Sequence, residues 1–268
     1  MKRMDMELKE HKTRIGDNCP HLNPTIIEDT IFYVDDEPLG LYIRDLKGDI
    51  KKFLDIANAE FRGDNVPKSL MERADVIMFQ REHGITRKQS REFTTTQYST
   101  VLGSMVPKTF MMRPYPSISA VHQSESAKTF VKAMLLACKE SEAIMEKELP
   151  SIYHKQKELI NDNTPAKWRF GNLFTSSISN YNISAKFHRD NLNLKGCVNV
   201  IMTKRFDSKG GYLHIPDYDI TIECADNSMI IYPAWKNVHG VTPIEVGSSN
   251  GYRNTFIFYA LRGFKAYA

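Results

Sequence analysis

The sequence predicts an α+β protein in which an α/β N-terminal half packs on a C-terminal antiparallel β-barrel or sandwich. Three observations predict it. After Trp168 the chain breaks into short runs rich in β-branched and aromatic residues, spaced about 10–12 residues apart and separated by turn signals. Before Trp168 the apolar residues of 49–63 and of about 126–149 recur at helical spacing. Ahead of both, "TIFYV" and "GLYIRD" flank "DDEP" as a hairpin would.

Taken in order, residues 1–30 read as an irregular, charged arm with turn residues in "GDNCPHLNP". The hairpin follows at 30–45. In 49–63 the apolar positions 50, 53, 54, 56, 57 and 61 share a helix face, and Gly63 is a stop. The longest helix, about 126–149, carries an apolar stripe through Phe130, Val131, Met134, Leu135, Ala137 and Cys138, and Pro150 kinks or restarts it. The strand-like runs are "NLFTSSIS", "GCVNVIMTK", "GYLHIP", "DITIEC", "SMIIYPAW", "GVTPIEV" and "RNTFIFYAL". Residues 1–125 form an N-terminal region and 126–268 the helices and barrel, joined as one compact unit.

The bulk numbers bound the function. The 268 residues are 41% hydrophobic, enough for a large core, and no apolar run approaches the roughly 20 residues of a membrane helix. The N-terminus "MKRMDMELKEHKTR" lacks the apolar stretch of a signal peptide, so the expected location is cytoplasmic: the host cytoplasm for a phage gene, or the nucleus in a eukaryote. Four scattered cysteines without a C-x-x-C argue for reduced, buried thiols rather than a zinc site. The net charge of +4 permits a polyanionic partner without demanding one. Basic residues do cluster in "REHGITRKQSR", a kind of run that is more often just a solvated face; Arg87, Lys88 and Arg91 within it, and Arg113 further on, are candidate phosphate contacts.

One ordered set carries chemistry. In "SAKFHRDN", His188 and Asp190 stand two apart, as side chains on one strand face do. About 50 residues of strands later comes His239, and 14 residues after that Arg253, with Thr255 on its face. Two histidines and a carboxylate that leave positions open are the facial triad of non-haem Fe(II) oxygenases. An arginine opening a barrel strand needs an anion, and its planar fork suits the distal carboxylate of 2-oxoglutarate. H-x-D alone arises by accident, and a lone strand histidine is usually structural, which is how His83, His122, His154 and His214 read. A cupin-like barrel with a buried polar network would use the same residue types without a metal.

The stretch "FHRDN…GCVNVIM…GGYLHIPDYDITIECADNSMIIYPAWKNVHGVTPI…GYRNTFIFYAL" resembles the Fe(II)/2-oxoglutarate-dependent dioxygenases, and within them the TET and J-binding-protein branch with its phage members. The similarity covers about 170–263; "MRPYPSISA" matches more loosely. The resemblance implies a double-stranded β-helix, a jelly-roll or cupin-like barrel. It implies Fe(II) on His188, Asp190 and His239, 2-oxoglutarate on Arg253, and O₂ as the oxidant. The implied reaction hydroxylates the methyl group of a 5-methylpyrimidine in DNA, 5-methylcytosine in preference to thymine, by a chain that is a monomer. A second arginine six positions after Arg253 marks the AlkB type; here that residue is Tyr259. Collagen-type prolyl hydroxylases usually carry lysine where Arg253 stands.

A base in duplex must be flipped out to reach such a metal. Trp168, Phe170 and Phe174 in an expected inner strand are candidates to stack on it, with core packing as the alternative. Asn172, Asn191 and Asn193 are candidates to read its edge, and Asn180 and Asn182, with Thr255, to bond the co-substrate. The competing readings are an oxygenase acting on a protein or small molecule, and a non-catalytic nucleic-acid-binding barrel.

Overall fold

A computed structural model describes residues 1–70, 84, 86, 97–108 and 112–267. The basic candidates Arg87, Lys88 and Arg91 lie outside the described residues. The fold is α+β and mostly sheet.

The strands are β1 (Lys2–Asp5), β2 (Thr30–Val34), β3 (Glu37–Ile43), β4 (Ser69–Leu70), β5 (Tyr98–Met105), β6 (Ser117–Ile118), β7 (Ser176–Tyr181), β8 (Ala185–His188), β9 (Asn199–Phe206), β10 (Ser208–Gly210), β11 (Leu213–Ile215), β12 (Ile220–Ile222), β13 (Ser228–Tyr232), β14 (His239–Val241), β15 (Ile244–Val246) and β16 (Tyr252–Tyr259). Among the described residues the α-helices are α1 (Asp49–Arg62), α2 (Lys128–Glu148) and α3 (Pro150–Asn163). Gly63 ends α1, its N–H bonding the carbonyls of Ala59 and Glu60. Pro150 is the first residue of α3, where a missing N–H costs no helical bond.

Among the described residues ten strands form the major sheet, in the order β1-β2-β3-β13-β9-β16-β7-β5-β4, with β6 paired to β5. A minor sheet runs β12-β11-β14-β8, and β10 pairs with β15. The N-terminal strands belong to the same sheet as the C-terminal ones: β3 pairs with β13, and β5 with β7.

Side chains alternate along a strand, and the major sheet uses that alternation to separate two environments. On one face, Val200, Met202, Phe256 and Phe258 pack with Leu54, Ala57 and Phe61 of α1 and Phe130, Met134 and Ala137 of α2. On the other, Asn199, Ile201, Arg253, Thr255, Ile257 and Tyr259 line a cavity of about 530 Å³. Residues of β8, β11 and β14 line it too, so the two sheets face each other across it. A second core, of Phe32, Tyr42, Ile215, Tyr218, Ile222 and Ile230 among others, fills the space beside it.

Two local expectations change, and one holds. The arm contains β1, which pairs in parallel with β2. Trp168, Phe170 and Phe174 do not share an inner strand. Trp168 ends a single 3₁₀ turn, and Phe170 bridges to Phe174 around a tight turn before β7. All four cysteines are free and buried, as the sequence suggests.

Candidate metal centre and anion pocket

His188 ends β8 and His239 begins β14, and the antiparallel pairing of these strands sets the two residues directly opposite each other. Their ring centroids lie 4.2 Å apart. Asp190 lies two residues beyond the strand rather than on it, and its backbone N–H donates to the Ala234 carbonyl. His188 Nε2 stands 3.5 Å from Asp190 Oδ1, and one donor atom from each of the three residues lies within 4.8 Å of the others. Adjacent ligand atoms on an ion with bonds of about 2.1 Å stand about 3 Å apart, so modest side-chain movement closes this set.

The neighbours of the triad suit it to a cation. His188 Nδ1 pairs with the Lys186 carbonyl at 2.7 Å, and His239 Nδ1 with the Asn237 carbonyl at 3.2 Å. A carbonyl only accepts, so each Nδ1 carries the proton and each Nε2 presents its lone pair. Asp190 Oδ2 accepts from Asn199 Nδ2 at 3.0 Å and Asn193 Nδ2 at 3.4 Å, leaving Oδ1 toward the histidines. Burial, and then the nearby His188, push His239 down to about 4, so its ring is neutral at pH 7. Burial raises the Asp190 carboxyl, but the histidines outweigh it and hold the group below its ordinary range. Burial likewise opposes charge on His188; its bonds to Asp190 and to the Lys186 carbonyl outweigh that and raise it. A metal arriving here therefore competes with a proton on His188.

Arg253 lines the same cavity and is only 3% exposed. Its Nε is buried without a partner, and its Nη1 reaches only the Ile183 carbonyl, at 3.5 Å. A buried guanidinium so poorly bonded fits an anionic ligand. Its backbone is fixed more firmly: the Arg253 N–H donates to Asn182 Oδ1 at 2.7 Å, with Asn182 itself at φ 53°. Gly211, at φ +69°, has no side chain because a Cβ there would stand 2.7 Å from Arg253 Cδ. Arg205 faces Arg253 across the β9–β16 ladder and is anchored to the carbonyls of Ser208, Gly210 and Cys224. Burial, then the charge of Arg253, lower its pKa.

The structure brings His188, Asp190, His239, Arg253, Thr255, Asn180, Asn191 and Asn193 to one cavity. Asn182 lies behind Arg253 rather than in the lining. Asn193 is already engaged by Asn199 and Asp190. Three expected substrate contacts stand elsewhere, for identifiable reasons. Asn172 donates from backbone and side chain to the buried carboxylate of Glu142 on α2. Trp168 stacks on Phe264 and donates to the Tyr267 carbonyl. Arg113 bonds the Val106 carbonyl and the Met105 sulfur. Asn199 went unnoticed in the sequence, although an asparagine two before Ile201 in a strand points to the same face.

No protein-family model matches the chain, and no curated protein matches it. Among solved structures it is similar to NgTET1, determined in complex with 5mC DNA, at TM-score 0.53 and 14% identity over 88% of this chain and 78% of that one. OsALKBH1 matches at TM-score 0.42 and 14% identity, over 84% and 97%. The likeness to NgTET1 establishes a shared fold. Among the described residues, no helix is long and apolar enough to cross a membrane.

Proposed function

We propose that this chain is an Fe(II)- and 2-oxoglutarate-dependent dioxygenase built on a double-stranded β-helix, residues 1–125 and 126–268 acting as one unit. The observation that carries the reading is a single cavity with two histidines and a carboxylate at one place and a buried, underbonded arginine at another. His188, Asp190 and His239 hold the iron, and Arg253 with Thr255 and Asn180 holds the co-substrate. With O₂, the bound metal and 2-oxoglutarate supply hydroxylation of an unactivated C–H bond, the co-substrate leaving as succinate and CO₂.

The chain's own residues do the rest. Arg253 grips the distal carboxylate through its fork, and Asn182 and Gly211 fix where that fork stands. The hydroxyl of Thr255 and the amide of Asn180 lie beside it, paired across β7 and β16. Apolar walls from Ile178, Ile201, Leu213, Ile230 and Val241 keep water from the reacting centre. Asn199 holds Asp190 so that one oxygen faces the histidines.

The substrate we favour is the methyl group of a 5-methylpyrimidine in DNA, 5-methylcytosine before thymine, acted on by a cytoplasmic monomer. The sequence resemblance supports this, as does the shared fold of NgTET1, which was solved with 5mC DNA. Asn191 and Arg189 line the cavity and are exposed, as a reader of a flipped base requires. One observation favours a second reading, an oxygenase of a protein or small molecule. Apart from Arg253, Arg189 is the only lysine or arginine among the described lining residues.

Nucleoside mass spectrometry separates these readings. DNA with 5-methylcytosine at defined sites, incubated with protein, Fe(II) and 2-oxoglutarate, should yield 5-hydroxymethylcytosine, less as salt rises. If only 5-hydroxymethyluracil forms, thymine is the substrate. Turnover of 2-oxoglutarate with a peptide or metabolite, and none with single- or double-stranded DNA, selects the second reading.

A further inference from the structure

His239 takes its orientation from the carbonyl of Asn237, two residues earlier. Asn237 is itself 3% exposed, and its Nδ2 donates to Asp217 Oδ2 at 2.7 Å. Asp217 sits in the single turn Pro216–Tyr218 between β11 and β12, nine-tenths buried. Its other oxygen, Oδ1, lies 2.7 Å from His11 Nε2, and its backbone carbonyl accepts from the Lys9 N–H. An unbroken chain of short contacts therefore runs from the N-terminal arm through Asp217 and Asn237 to the ring of His239.

The same arm reaches the other histidine. The Gly16 N–H donates to the Phe187 carbonyl, and the Phe187 N–H donates to the Asp17 carbonyl, beside His188. Cys19 packs with Phe187 and Val238, each next in sequence to one of the two histidines. Gly240 has no room for a Cβ because Phe187 Cδ1 would lie 2.9 Å from it and Cys19 Cβ 3.1 Å. The arm thus backs both histidine strands on the side away from the cavity.

We infer that Asp217 is a positioning residue for the metal centre, holding His239 through Asn237 and fastened by His11 of the arm. The inference rests on the metal reading proposed above. Asp217 and His11 touch neither the cavity nor any donor atom of the triad. Their effect is transmitted: without Asp217, Asn237 loses its anchor, its carbonyl drifts, and the His239 ring is free to turn Nε2 from the cation. Residues that orient a metal-bound histidine typically govern affinity by about 10–100-fold.

The probe is Co(II), titrated into the metal-free full-length chain and followed by its visible spectrum, well below the melting temperature of each variant. Asp217→Ala should weaken Co(II) binding about 10–100-fold and shift the ligand-field bands of the saturated protein. Asp217→Asn keeps an oxygen for Asn237 and should return both affinity and spectrum close to the parent's. His11→Ala, at the exposed end of the chain of contacts, should give a smaller loss in the same direction. A lower melting temperature for Asp217→Ala with unchanged affinity and spectrum would make Asp217 merely structural and overturn the inference. If Asp217→Ala does not fold, unchanged Co(II) binding by His11→Ala overturns it instead. Failure of the unaltered protein to bind Co(II) defeats the metal reading and this inference together, whereas tight binding by the parent and all variants defeats this inference alone.

Discussion

The two faces of the major sheet are cut from the same strands and have little else in common. Along β16, Phe256 and Phe258 point to the helices, while Arg253, Thr255, Ile257 and Tyr259 point to the cavity. The helix face is closed by aromatic packing, with Phe61 edge-on to Phe256 and Phe258 stacked near Phe170. The cavity face carries a buried guanidinium with an unbonded nitrogen. Along β9 and β16 close packing sits on the helix face, while the second core lies beside the cavity and leaves it free to hold polar groups that a folded core would reject. The comparison predicts that substitutions one residue apart in β16 will fail in different assays.

The largest effect is expected at the metal centre across the cavity. Asp190→Ala should abolish both Co(II) binding and 2-oxoglutarate turnover, while circular dichroism and the metal-free melting temperature stay near the parent's. A global loss of structure would mean that Asp190 serves the fold, and that the division of labour does not extend to the metal centre. Next comes the helix face. Phe256→Ala empties a fully buried site and should lower stability by about 3–5 kcal/mol in urea unfolding. Its folded fraction should keep the parent's KM for 2-oxoglutarate.

These two positions also indicate how much was readable beforehand. The β-rich run of 172–261 and the helices at 49–62 and 128–148 were legible because alternation and helical spacing are local signals. The triad was legible as an order of residue types, and the register of β8 against β14 turned that order into proximity. The turn at 168–174 was not legible. Its apolar residues read as strand, but Gly171 at φ +70° and the Glu142 carboxylate reaching Asn172 from α2 decide its shape. The link from His11 to Asp217 was equally hidden, since it joins residues 206 positions apart. Strand β1 is a charged edge segment without alternation, defined only by the partner it meets.

Back on the cavity face, Arg253→Lys keeps the charge and loses the planar fork. The expected result is a rise in the 2-oxoglutarate KM of about tenfold or more, the equivalent of about 1.4 kcal/mol, with a smaller change in kcat. An unchanged KM would remove Arg253 from the co-substrate site, leaving a buried cation bonded by its side chain, among the described residues, only to the Ile183 carbonyl.

The smallest effect, and the sharpest use of the comparison, belongs to Thr255. It is buried at 3% exposure on the cavity face, between two residues that face the helices, Asn254 and Phe256. Thr255→Val preserves the β-branched shape that suits a strand and replaces one hydroxyl with a methyl. A net hydrogen bond is worth about 0.5–1.5 kcal/mol, so loss of a bond to the co-substrate should raise KM for 2-oxoglutarate by roughly 2–12-fold. Folding should respond differently. The hydroxyl faces a cavity rather than packed atoms, so stability should move by less than about 0.5 kcal/mol, or rise slightly as apolar surface replaces polar. Together these outcomes would separate the faces at the level of a single oxygen atom. A loss of stability without a change in KM would instead assign the Thr255 hydroxyl to the fold, and the co-substrate contact would then fall to Arg253 and Asn180 alone.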